Sequence, residues 1–427
     1  MVSDRALQVF TADKIDLSEN VVATYHVEGR GINIRDAAVE IAAEESIGTW
    51  TEVTTSTDWL VKNVAAKAFE FTMEDDRTGL VKIAYPVKLF DCETGGIPNM
   101  LSIVAGNLFG LSSLDNVRLL DVDLPESIVS SFLGPKFGIQ GVRRLVGTEK
   151  DGRPHVGTII KPKVGLSPKE TGKVAYEAAV GGVDFIKDDE TLTDQKFCPL
   201  LDRISAVMEA LDKANSETGR KTLYAPDITA ESYKIAELAD RAIEHGAPFL
   251  MVDVVPCGYS PIRMLAEDPS INVPIHVHRA GHAAFTRNPK HGISVKVMAK
   301  FTRLAGGDQL HTGTAAGKME AKLSELLETN NFLRGEFNSL KATMPVASGG
   351  VHPRLVAPNV EKLGKDIVIQ AGGGIHGHPD GTRAGARAMR QAVDACMDRV
   401  PLEEYAKTHR ELAVALERWG LPHFPQA

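Results

Sequence analysis

The sequence predicts an α/β protein: a C-terminal (β/α)8 TIM barrel preceded by a smaller N-terminal α+β domain. Three observations lead there. Beyond residue 146, short apolar runs alternate with helical stretches, which is the rhythm of parallel βα units. About eight such runs occur, enough to close a barrel. At 427 residues the chain also exceeds the roughly 250 that one barrel occupies, which leaves room for a second domain.

Taken in order, residues 1–145 mix strand-like runs (VVATYHVEG, TWTEVTT, LVKIAYPVKLF) with helix-like ones (IRDAAVEIAAEE, IPNMLSIVAGNLFG). Their order shows no regular alternation, as expected for a small α+β domain. The turn-rich EKDGRP at 149–154 marks the passage into the second domain, 146–427. The barrel strands are read as HVGTIIKPK, VDFIKDDE, TLYAPDIT, FLMVDVV, PIHVHRA, QLHTGTA, MPVASGG and IVIQAGGG. Between the first two, KETGKVAYEAAV is a helix stopped by Gly181-Gly182, where glycine supplies a left-handed residue. The tail, PLEEYAKTHRELAVALERWG, reads as a charged amphipathic helix outside the barrel.

Composition limits the function classes. A formal charge of −8 and a pI near 5.9 give the whole chain no attraction to nucleic acid or an anionic membrane, so an anion site must be local. Four scattered cysteines form no C-x-x-C pair and point to neither a zinc knuckle nor a disulfide framework. No apolar run approaches the ~18 residues that span a bilayer, and the first residues lack a signal-peptide pattern. A cytoplasmic protein is expected.

Buried barrel strands should be Val, Ile and Leu, yet six of these runs end in polar or glycine clusters. Active sites of barrels lie at those ends. Asp189 and Glu190, after strand two, are hard oxygen donors suited to magnesium. Glycines after strands seven and eight (Gly350, Gly372, Gly373) let backbone N–H groups approach a phosphate. Across the mouth, Arg279 and His311 offer donors for a second anion, so the two poles imply a bisphosphate. Lys161 and Lys163 alternate on strand one and point to one face, where neighbouring cations bring a lysine towards acid-base work. Lys318, in the glycine-flanked GTAAGKME, is placed to act from a lid. The histidines of HVHRAGH invite a zinc reading, but a metal-dependent amidohydrolase carries its H-x-H pair on the first strand rather than the fifth. His276 is read as structural and His278 as catalytic.

These motifs, in order, resemble ribulose-1,5-bisphosphate carboxylase/oxygenase. The resemblance rests on GTIIKPKVGL, GGVDFIKDDE, HVHRAGHAAFTRNPKHGIS, DQLHTGTAAGKME, SGGVHP and AGGGIHGHPDG, with EESIGTW and AGNLFG near the N-terminus. KFGIQG, TRNPKHGIS and DQLHTGT look like the form III branch found mainly in archaea. The resemblance implies that Lys187 adds a non-substrate carbon dioxide and, as a carbamate, binds one Mg2+ with Asp189 and Glu190. It implies proton transfer by Lys161 and Lys163, a catalytic role for His278, and orientation of substrate carbon dioxide by Lys318. One phosphate of ribulose 1,5-bisphosphate would meet Thr49, Trp50, Lys318, Gly350, Gly372 and Gly373. The other would meet Arg279 and His311, with Ser348 on a substrate oxygen. Glu44, Thr49, Trp50 and Asn107 would reach the barrel of a second subunit, making a homodimer, alone or in a higher assembly, the working unit. Oxygen would compete with carbon dioxide. Carboxylase-like relatives that enolise, isomerise or decarboxylate other phosphorylated keto-sugars or keto-acids are the alternative; they usually lose catalytic positions, which this chain keeps. Its departures are Thr191, Ala315-Ala316 and Ala321, where Asn, Val-Val and Gly are frequent.

Overall fold

The computed structural model describes residues 3–48, 53–317 and 322–420. The chain divides into two compact units, Met1–Leu133 with Gly281–Ala305, and Gly134–Ala280 with Gly306–Ala427.

In the smaller unit, strands β1 (Asn20–Gly29), β2 (Lys67–Met73), β3 (Thr78–Pro86) and β4 (Leu114–Asp123) form a mainly antiparallel sheet. β1 is central, pairing with β3 and β4, and alternation puts Tyr25 and Val27 into the core. The helix Ile34–Glu44 packs its apolar stripe of Ile34, Ala37, Ala38 and Ile41 there and is capped by the Asn33 side chain. The described part of TWTEVTT, 53–55, contains a turn and no strand.

The larger unit is built on an eight-stranded parallel sheet. Its strands are β5 (His155–Ile159), β6 (Phe185–Lys187), β7 (Leu223–Ala225), β8 (Leu250–Asp253) and β9 (Ile275–His278), then, after a short β10 (Gly292–Ile293), β11 (Gln309–His311), β12 (Met344–Ser348) and β13 (Val368–Gln370). The order is β7-β6-β5-β13-β12-β11-β9-β8. A bridge between Asp227 and Met251 joins the two edges, with Met251 N donating to the Pro226 carbonyl at 2.9 Å, so the sheet curls into a barrel. Each predicted barrel strand is present, shorter than its apolar run.

Inside, Phe185, Leu223, Ala225, Met251, Val346 and Val368 from five strands form one apolar cluster with Ile139 and Val142 of the helix Gly138–Val146. That helix closes the end where strands begin, because Asp308, ahead of β11, accepts from the N–H groups of Phe137, Gly138 and Ile275. The opposite end is left for polar chemistry. The helix after β5, Pro168–Gly181, carries a Ser167–Glu170 capping box and stops at Gly182 with φ 104°. The expected single tail helix is two, Leu402–Ala406 and Arg410–Trp419. β10 adds to β4, so Gly281–Ala305 leaves the barrel rhythm for the smaller unit. Among the described residues no helix is long and apolar enough to cross a membrane.

Candidate active site

Lys187 is the last residue of β6, and its side chain is fully buried. Its Nζ donates to the Asp188 carbonyl at 2.8 Å and lies 3.6 Å from Glu190. Burial pushes its pKa below the ordinary lysine value, against the pull of Glu190, Asp189, Asp227 and Asp253. An ammonium held this way gives up its proton more readily than one in water.

The two carboxylates beyond it meet the lysines of the first strand end. Lys161 Nζ donates to Asp189 Oδ2 at 2.7 Å, while Lys163 Nζ is 3.7 Å from Asp189 and 3.5 Å from Glu190. Both lysines stand just past β5, and both face the acids. The Thr191 hydroxyl also donates to Asp189, at 2.8 Å. Burial raises the pKa of Glu190, but Lys187, His278 and Lys163 outweigh it and hold the carboxyl at about 2. Asp188 turns the other way and accepts from Arg203 Nε at 3.0 Å, the Tyr224 hydroxyl at 2.7 Å and the Asp227 N–H at 3.0 Å. It is a structural anchor.

On β9, His278 Nδ1 is 2.6 Å from Asp253 Oδ1, and Nε2 is 3.7 Å from Glu190. Burial and Lys187 lower the imidazole's pKa despite those two carboxylates, so the ring is poised to take a proton. His276 lies deeper, its Nδ1 2.8 Å from Gln309 Oε1 and its Nε2 2.9 Å from His311 Nε2. His311 Nδ1 is in turn 2.7 Å from Ser348 Oγ. Both ring nitrogens of His311 are therefore paired inside the wall. Arg279 sits at the same side with its guanidinium buried and Nη1 lacking a hydrogen-bond partner among the described residues. Burial lowers its pKa to about 10, against Glu325, leaving it charged at neutral pH. An unpaired buried guanidinium is suited to a bound anion.

The other pole is made of glycine. Gly350 has φ 75°, and Gly349 has φ 120°. A Cβ on Gly372 would lie 3.1 Å from Lys161 Cε, so the loop after β13 reaches the first strand's lysine. Gly317 lies against Gly349, whose carbonyl would be 2.4 Å from an added Cβ. The approach to Lys318 is thus fixed beside the glycine pair. Asn359 clamps it: its Oδ1 accepts from Ala315 N at 2.8 Å and Ala316 N at 3.3 Å, and its Nδ2 donates to the Ala316 and Leu355 carbonyls. Thr49, Trp50 and Lys318 lie outside the described residues. Glu44 and Asn107 belong to the smaller unit, where Asn107 Nδ2 donates to Glu44 Oε1 at 3.3 Å.

Asp189 and Glu190 are the hard donors of the mouth, but among the described residues no three His, Cys, Asp or Glu side chains form a metal cluster. Two carboxylates beside a buried amine fit magnesium if the amine gains an oxygen. Asp253, Gln309 and Asn359 were not singled out from sequence. Asp253, a carboxylate ending a strand, carried the signal that identified Asp189; Asn359, inside the helix Val356–Leu363, carried none.

Comparison with known proteins bears on this arrangement. Residues 138–419 match the family described as ribulose bisphosphate carboxylase large chain, catalytic domain, and 10–128 match its N-terminal domain. The ribulose bisphosphate carboxylase of Methanocaldococcus jannaschii is 45% identical over 408 residues, covering 91% of this chain and 95% of the relative. That of Archaeoglobus fulgidus is 44% identical over 423 residues, with 94% and 95% covered. Among solved structures, octameric Rubisco from Pyrococcus horikoshii, as its sulfate complex, superposes with a TM-score of 0.92 at 39% identity, covering 98% of each chain. The dimeric archaeal Rubisco of Hyperthermus butylicus gives 0.89 at 41%, covering 97% of this chain and 99% of the other.

Proposed function

The chain belongs to the ribulose bisphosphate carboxylase large-chain family, a family of carbon–carbon lyases, and we propose that its barrel mouth converts ribulose 1,5-bisphosphate, carbon dioxide and water into two molecules of 3-phosphoglycerate. The observation that carries this reading is a fully buried lysine amine 3.6 Å from Glu190, beside Asp189, at the end of the second barrel strand.

Burial favours the neutral amine of Lys187, which adds carbon dioxide, loses a proton and becomes a carbamate. That carbamate supplies the third oxygen that Asp189 and Glu190 lack. A Mg2+ held by the three would polarise the sugar's carbonyl and hydroxyl oxygens and stabilise developing negative charge. The chain's own groups do the rest. Proton removal from the sugar starts at the Lys187 carbamate. Lys161 and Lys163, whose ammoniums stand beside Asp189, supply and accept protons at the substrate oxygens. His278, oriented through Nδ1 by Asp253, receives a proton at Nε2.

Arg279 is the charged donor of one phosphate pole; His311 lies beside it with both ring nitrogens engaged by His276 and Ser348, and lends position rather than a hydrogen bond. Gly350, Gly372 and Gly373, with Thr49, Trp50 and Lys318, form the other. Ser348 binds a substrate oxygen. Lys318 orients the carbon dioxide that adds to the enediolate left by proton removal, and oxygen attack on that enediolate is the side reaction. Glu44, Thr49, Trp50 and Asn107 complete the site of a second copy in a homodimer. Relatives solved as a dimer and an octamer support an assembly of that kind.

The test is incubation with Mg2+ and bicarbonate, then ribulose bisphosphate with labelled carbon dioxide. Label in phosphoglycerate is expected. Its absence at every protein concentration sinks the reading.

A further inference from the structure

Behind the mouth, four buried or half-buried side chains form an unbroken run of hydrogen bonds, Gln309–His276–His311–Ser348. We propose that Gln309 and His276 are positioning residues that fix the Ser348 hydroxyl as an acceptor towards a hydroxyl of the bound sugar bisphosphate, an inference that rests on the substrate reading above.

The direction of the run is set at its far end. Gln309 is fully buried, and its Nε2 faces the Met344 sulfur at 4.0 Å. A thioether has lone pairs and no proton, so the amide presents nitrogen to sulfur and oxygen to His276. That oxygen only accepts. Hence His276 carries its proton on Nδ1, 2.8 Å away, and its Nε2 is a bare lone pair. Burial inside the barrel wall keeps this ring neutral, and burial with the other histidines does the same for His311. Across 2.9 Å the Nε2 of His311 must then be the donor, which leaves Nδ1 of His311 bare. That nitrogen takes the Ser348 proton at 2.7 Å.

Ser348, half-buried at the end of β12, has therefore spent its proton inward and shows the mouth only lone pairs. It can accept from a substrate hydroxyl and cannot donate to a keto oxygen. The wall thus selects a hydroxyl over a carbonyl at that position of the sugar. Neither His276 nor Gln309 touches substrate; a structural residue would fill the space without setting this polarity.

Two measurements test it. In protein labelled with 15N-histidine, long-range nitrogen–proton correlation spectra near neutral pH report which nitrogen of each ring bears the proton. Signals are assigned by their loss in His276→Gln and His311→Gln. Nδ1–H on His276 with Nε2–H on His311 is expected; the opposite pair, or a charged ring at either position, overturns the inference whatever the activity. The second measurement is kinetic. Gln309→Leu removes the oxygen that fixes the run and should raise KM for ribulose bisphosphate about tenfold, the scale of one hydrogen bond, while kcat changes less than about threefold. An unchanged KM removes the positioning role. If Gln309→Leu does not fold, the spectra of the unaltered protein still decide. Should the unaltered protein fail to turn over ribulose bisphosphate, the functional reading falls and the spectra alone judge the polarity.

Discussion

His278 and Lys187 owe their chemistry to neighbours rather than to their residue type. With Asp253 2.6 Å from Nδ1, His278 keeps its proton there and offers Nε2 to the mouth. Asp253→Asn would present an amide N–H instead and invert the tautomer. Carboxylation should fall roughly 100-fold, with KM for ribulose bisphosphate little changed, as read by steady-state kinetics. Lys187 depends on being able to lose its proton. Lys187→Arg keeps the charge beside Glu190, but a guanidinium does not deprotonate in proteins. Preincubation with bicarbonate and Mg2+ should then activate nothing, and labelled carbon dioxide incorporation should drop by on the order of 10³-fold. A variant that still activates with preincubation would remove Lys187 from the role assigned to it.

At the scale of elements, the loop after β11 is held by a side chain from another part of the fold. Asn359 satisfies two N–H groups and one carbonyl of Ala315-Ala316 from the buried face of the helix Val356–Leu363. Asn359→Ala leaves those groups unpaired at a cost of about 1–3 kcal/mol and frees the approach to Lys318. A lower melting temperature and a carboxylation rate reduced about tenfold are expected, measured by calorimetry and kinetics. The eight barrel strands were legible in sequence because strands covered on both faces must be apolar, so polar residues such as Lys187 and His278 at their ends stand out. Partners such as Asp188–Arg203 and Asn359–Ala315 were not legible, since nothing local ties one to the other. The break between Ala406 and Arg410 also escaped the helical period, which runs through YAKTHREL without a proline or glycine. The Gly281–Ala305 detour escaped for a related reason: its helix, Val295–Ala305, is as amphipathic as a barrel helix.

For the whole molecule, histidines held neutral in the fold make it less stable in acid. Burial holds His155, His352 and His376 neutral, each at about 4 against an ordinary 6.5. Between those values the unfolded chain binds more protons than the folded one, so stability is lost as pH falls from 6.5 towards 4. For His155, deeply buried beside Arg143, Arg153 and Arg390, the full effect is about 3 kcal/mol. Melting temperature should fall across that window, and less steeply in His155→Gln; identical slopes would mean the ring titrates normally. The Gly281–Ala305 detour has a consequence for how the protein is made and rebuilt. The smaller unit borrows a strand and a helix from chain that is synthesised after five barrel strands, so it stays incomplete until most of the polypeptide has emerged. A gene cut at Leu133 would therefore not release an exchangeable cassette: a chimera must carry both stretches from one parent, or join a sheet to a strand that evolved against another.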